Sequence, residues 1–113
     1  MSDDARDARG ENETPFVYAC DDGWASLIRE CHAELLSLDP NYLVLQVKEK
    51  FGGLRYYYAT THDPNDPKSE LMRDVVARYE RLSLSVCEEC GERGELTRGK
   101  SGWWKTTCDA CRR

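Results

Sequence analysis

Two cysteine pairs near the C-terminus leave this chain few ways to close. Cys87 and Cys90, then Cys108 and Cys111, form C-x2-C-x17-C-x2-C, a spacing expected of a four-thiolate zinc site. Each C-x2-C folds into a tight knuckle that presents two sulfurs along one edge of a tetrahedron, and two knuckles brought together by a hairpin complete the sphere. Gly91 follows the first knuckle, where the backbone must turn sharply. Glu95–Arg98 and Trp103–Thr107 are the expected strands of that hairpin, with Gly99, Lys100, Ser101 and Gly102 as its turn. A redox dithiol or disulfide pair and an iron–sulfur cluster are the other readings of the spacing. The expected cofactor is one structural Zn²⁺, because so small and polar a module needs a staple. Four thiolates leave no open position for water, so hydrolysis at the metal is not expected.

The first residues, MSDDARDARGENETP, lack the basic start and apolar stretch of a secretory signal. No apolar run approaches the roughly 20 residues that span a bilayer. Six cysteines in such a chain point to reduced thiols and a cytoplasmic setting, without a membrane. The length of 113 residues allows one core of ordinary size and not two. Net charge is −5, which excludes a broad basic footprint for non-specific nucleic-acid binding.

The organisation expected is an acidic, disordered tail over 1–14, an α-β-β-α unit over 15–85, and a zinc ribbon over 86–113 packed on it. The tail carries five acids and two bases with no aromatic residue. A first helix begins near Asp21 or Asp22 as N-cap, with the apolar stripe Trp24, Leu27, Ile28, Cys31, Leu35 and Leu38. Asp39-Pro40 ends it. Leu43, Leu45 and Val47 alternate with Tyr42, Val44, Gln46 and Lys48 as a strand. Leu54–Ala59 is its hairpin partner, in which either Tyr56 and Tyr58 or Tyr57 faces the core. The loop between them, Glu49 to Gly53, holds a glycine pair able to take positive φ. Asp66 as N-cap and Pro67 start a second helix with the stripe Leu71, Met72, Val75, Val76, Tyr79 and Leu82. The fold class is therefore α+β: helix, β-hairpin, helix, closed by a C-terminal zinc-ribbon hairpin.

Several residues invite a functional reading beside a plain one. Lys48, Lys50 and Arg55 flank the glycine hairpin and suit an anion or phosphate contact with the free turn amides; the plain reading is a solvated hairpin whose lysines guard a sheet edge. Trp103 and Trp104, adjacent on a strand, face opposite sides, so one packs and the other is free to stack a base or anchor a protein contact; otherwise the ribbon buries both. Cys20, Cys31, His32 and His62 share no ligand-pair spacing, and His32 points away from Cys31 on a helix, so neither a second metal site nor a Cys–His nucleophile is supported.

The stretches CDDGWASLI (Cys20 to Ile28), QVKEKFGGLRYY (Gln46 to Tyr57), CEECG (Cys87 to Gly91) and GWWKTTCDAC (Gly102 to Cys111) resemble, in the same order, an uncharacterised family of small proteins encoded by bacteriophages, prophages and bacteria. The likeness covers about residues 20–111. That family often has histidine as its last ligand, where this chain has Cys111. The resemblance implies a mobile-element context inside a bacterial host cell and brings no catalytic residue with it. The resulting expectation is a non-enzymatic zinc-stabilised binding protein, a phage or prophage accessory factor acting on a protein partner through Lys48, Lys50, Phe51, Arg55 and one of Trp103 or Trp104. The alternative is a nucleic-acid-binding ribbon using Lys48, Lys50, Arg55, Arg98, Lys100, Lys105, Arg112 and Arg113. A nucleotide-acting enzyme at the glycine hairpin comes third, because no set of mutually placed catalytic groups can be named.

Overall fold

The computed structural model describes residues 15–99 and 101–112. The tail expected over 1–14 lies outside them, as do Lys100 and Arg113. The chain is α+β: α1 (Ala25–Leu38), β1 (Leu43–Lys50), β2 (Gly53–Ala59), α2 (Pro67–Leu82), β3 (Glu95–Arg98), β4 (Trp104–Thr107) and a last helical turn, α3 (Asp109–Arg112). Strands β1 and β2 form one antiparallel hairpin and β3 and β4 another.

A 3-10 turn over Asp22–Trp24 precedes α1, and neither Asp21 nor Asp22 caps it. Asp22 instead accepts a hydrogen bond from the Tyr18 hydroxyl at 2.8 Å. The expected stripe is buried from Trp24 to Leu35, with Leu38 packed at its margin. Helix α2 starts as its sequence dictates, the Asp66 carboxylate accepting from the Lys68 amide at 2.8 Å with Pro67 in the first turn. Its stripe is narrower than expected, because Leu71 and Leu82 are exposed while Met72, Val75, Val76 and Tyr79 enter the core. The two helices pack against each other and cover one face of the first hairpin, where Val47, Leu54 and Tyr56 meet Ile28, Cys31, Leu35 and Met72. Tyr57 points outward, which settles the tyrosine alternation.

The period-two reading of β1 needs correction. Leu43 and Leu45 are exposed and Val44 is partly buried. The register runs Val44↔Tyr58 and then Gln46↔Tyr57, so Leu45 is an extra residue, and Val47↔Tyr56 resumes the inward phase. Such a bulge flips the side-chain phase along a strand. The loop is also shorter than expected: Glu49 and Lys50 belong to β1 and Gly53 opens β2. Only Phe51 (φ 54°) and Gly52 (φ 85°) form the turn, the two positive φ values that a hairpin of right-handed twist favours.

A lone two-stranded hairpin is marginal in water and has two open edges. Both edges are occupied here. Ala19 bridges to β1, donating to the Val47 carbonyl (2.8 Å) and accepting from the Glu49 amide (3.2 Å). On the β2 side, the Tyr56 amide donates to the Glu80 carboxylate (2.9 Å) and the Leu54 amide to the Ser83 hydroxyl (2.9 Å).

Candidate metal centre and the adjoining cleft

The segment after α2 leaves through a 3-10 turn, Ser83–Ser85, into the first knuckle. The Gly91 amide donates to the Cys87 carbonyl (2.9 Å), closing Cys87–Gly91 into a turn, with Gly91 at φ 86°. Strand β4 carries the chain back to Cys108 and Cys111, and the Arg112 amide closes that second turn on the Cys108 carbonyl at 3.0 Å. The four sulfurs of Cys87, Cys90, Cys108 and Cys111 lie within 4.8 Å of one another. A tetrahedral ion with metal–sulfur bonds of about 2.3 Å sets its sulfurs about 3.8 Å apart, and Cys90 and Cys108 sit at 3.6 Å. None of these cysteines is in a disulfide.

The electrostatics of the cluster suit a cation. Burial works against the Cys87 thiolate, but the backbone amides of Cys108, Cys90 and Glu89 aimed at its sulfur bring the thiol down to about 6. Cys111 is pushed well up by the neighbouring Cys108 and Cys90 sulfurs. Thiols this close cannot all ionise without a positive charge between them. The donor set fits one tetrahedral, soft-to-borderline divalent ion. Among the described residues, no other group of histidine, cysteine or carboxylate side chains is placed to hold a metal.

Cys20 and Cys31 are not near the cluster's chemistry: burial pushes each thiol up to about 12, and Cys31 is in the core. His32 shares a hydrogen bond with the Tyr42 hydroxyl (2.6 Å), and burial lowers its pKa. His62 donates from Nε2 to the Leu38 carbonyl at 2.7 Å.

The ribbon docks on the first hairpin and on the start of α1. Gly23 sits so close to the first knuckle that a Cβ there would lie 2.2 Å from the Cys87 carbonyl oxygen and 2.3 Å from that of Glu88. Its amide donates to the Glu88 carbonyl (2.7 Å), and the buried Trp24 indole donates to the Val86 carbonyl (2.8 Å). At the hairpin tip, the Thr106 hydroxyl donates to the Gly52 carbonyl at 2.7 Å in a buried contact. A Cβ on Gly52 would fall 2.4 Å from Leu96 Cδ1 and 3.1 Å from the Lys105 amide nitrogen. The Gly52 amide donates to the Glu49 carboxylate at 2.8 Å, and Gly53 is in the ladder opposite Lys50. The glycine turn therefore offers no free Gly52 amide to an anion; its glycine admits the ribbon backbone.

That docking leaves a cleft of about 500 Å³ between the two hairpins, lined chiefly by Glu49, Lys50, Phe51, Arg98, Trp103 and Trp104. Neither tryptophan is buried: Trp103 is 73% exposed and Trp104 43%, and Phe51 across the cleft is 67% exposed. The expectation that one tryptophan packs away fails because Trp103 precedes β4, so strand alternation does not govern it. The Lys50 ammonium lies 5.6 Å from the Phe51 ring centre and the Arg98 guanidinium 6.0 Å from that of Trp104.

Of the expected binding residues, Lys50, Phe51, Trp103 and Trp104 come together here. Lys48 and Arg55 do not; they face each other across the ladder, with Lys48 5.9 Å from the Tyr57 ring on the open face of the sheet. Glu49 was not expected at the site. Lys105 pairs with Glu89 (2.8 Å) and lies 3.8 Å from Asp21, and Arg112 pairs with Asp109 (2.9 Å), so neither adds a free cation to a basic stripe.

Compared with protein-family models, curated proteins and solved structures, the chain gives no match in any of the three. No described helix is long and apolar enough to cross a membrane.

Proposed function

We propose that the chain is a zinc-stabilised binding protein, without catalytic chemistry of its own, that engages a protein partner through the cleft between its two hairpins. One observation carries this reading: three exposed rings, Phe51, Trp103 and Trp104, converge on one cleft in a chain whose helices and first hairpin already bury a separate core. Exposed aromatic side chains beside arginine are the residue types that anchor protein interfaces. Four thiolates favour Zn²⁺, and with every coordination position filled the ion holds the ribbon in place. Reduced thiols suit a reducing compartment, and an accessory role for a mobile element in a bacterial host accords with the resemblance noted above.

The rings beside Lys50 and Arg98 also suit base stacking, and one experiment separates the two readings. Tagged zinc-loaded protein, and variants carrying Phe51→Ala or Trp103→Ala, are incubated with bacterial lysate with and without nuclease. The expected result is a protein captured by the parent, lost with either variant, and indifferent to nuclease. Capture that vanishes with nuclease installs nucleic acid as the partner; capture that both variants retain removes the cleft.

A further inference from the structure

We infer that the cleft recognises an acidic, extended segment of its partner protein, one that inserts an apolar side chain among Phe51, Trp103 and Trp104 and sets its carboxylates on Lys50 and Arg98. The inference rests on the binding reading above and adds the chemistry of the partner.

Charge complementarity is the first support. Lys105, on the neighbouring strand, has its own carboxylates in Glu89 and Asp21. Neither Lys50 nor Arg98 has a carboxylate partner among the described residues. Arg98 donates from Nε to the Gly102 carbonyl (3.0 Å), which fixes the guanidinium while both terminal nitrogens have no hydrogen-bond partner among the described residues. A guanidinium held in this way is a preformed fork for a carboxylate. Each cation also lies near a ring, a weak attraction that orients it at little entropic cost.

Backbone strain is the second support. Phe51 stands at φ 54°, the one described non-glycine residue with positive φ, a conformation disfavoured for a residue with a Cβ. The hairpin turn requires that backbone conformation, but the ring, largely solvent-exposed, offsets little of the strain by burial. Strain of this kind is characteristic of ligand contacts.

A polyanion fits less well than a short acidic segment. Glu49 lines the same cleft, the paired carboxylates Glu89 and Asp21 stand beside Lys105, and the whole chain carries −5. A nucleic-acid backbone needs a continuous basic track, whereas a peptide needs only as many carboxylates as there are cations.

The test is fluorescence anisotropy on the full zinc-loaded chain with three labelled probes: a short Asp/Glu-rich peptide with a central Leu-Phe, the same peptide with lysine for every acid, and oligodeoxythymidylate of equal length. The acidic peptide is expected to bind best, and more weakly as salt rises. Lys50→Glu combined with Arg98→Glu is expected to weaken it about tenfold or more and transfer preference to the lysine peptide. Trp103→Ala is expected to weaken both peptides by a similar factor while leaving the salt dependence unchanged. Equal binding of the two peptides, binding of neither, tighter binding of the oligonucleotide, or an unchanged preference after charge reversal overturns the inference. Should the peptides fail while nuclease-resistant capture still requires Phe51 and Trp103, only the partner's chemistry is lost; should capture fail as well, the binding reading falls with it.

Discussion

Asp39 looks in the sequence like a helix stop and nothing more. In the fold it is almost fully buried and serves two segments at once, accepting from the Asn41 amide (3.0 Å) after α1 and, after β2, from the Thr60 hydroxyl (2.6 Å) and both the amide (2.7 Å) and hydroxyl (2.9 Å) of Thr61. These bonds outweigh burial, the Thr60 hydroxyl foremost, and hold the carboxyl well below the usual carboxylate range. A depressed folded-state pKa contributes stability that is complete above the unfolded value of about 3.9 and is lost as pH falls below it towards the folded value. Asp39→Asn is therefore expected to lower the Tm at neutral pH, by scanning calorimetry, and to flatten the fall in Tm below about pH 4. A variant matching the parent at pH 7 would show that the end of α1 and the exit of β2 are joined by something else. The sequence marks Asp39 only through Pro40, because Thr60 and Thr61 are too distant along the chain for any local rule to pair with it.

The β1–β2 hairpin shows the same division within one element. Alternation locates both strands, but the bulge at Leu45 and the two-residue turn set which side chains face inward. The turn is also where binding and stability oppose each other. Asn-Gly is the preferred pair for two positive φ values, whereas this chain has Phe51-Gly52. Phe51→Asn is expected to raise stability by about 1 kcal/mol in urea denaturation while abolishing partner capture. A variant of unchanged or lower stability would mean that the phenylalanine ring contributes to folding, contrary to its exposure. Gly52 has a double duty here, taking φ 85° and letting the ribbon backbone approach.

Across the molecule, the metal centre and the cleft are linked through the ribbon. Cys87 and Glu88 lie against Gly23, Val86 holds the Trp24 indole, and Thr106 holds Gly52. Apart from the β3–β4 ladder and the Glu88 amide on the Thr106 carbonyl (2.9 Å), an ion on the four sulfurs is what would tie the two knuckles together, and with them the position of Trp103 and Trp104 opposite Phe51. Treatment with a metal chelator is expected to abolish capture and lower the Tm while far-UV circular dichroism keeps most of the signal of α1 and α2, and added Zn²⁺ to reverse both losses. Acidification is expected to release the metal in the same way, because protons compete with the ion for all four thiolates. Capture that survives chelation would show that the ribbon holds its place without metal.

The features legible along the chain are those whose partners are a few residues away: the C-x2-C knuckles, the Asp66-Pro67 helix start, the stripe of α1 and the centre of that of α2, and the presence of the first hairpin's two strands. Local backbone geometry and hydrophobic period suffice for these. The cleft, the seat of the ribbon and the separation of Lys48 and Arg55 from the rings emerge only on folding. Thr106 and Gly52 are 54 residues apart, and no periodicity or motif carries information across that distance; close packing of the two hairpins does.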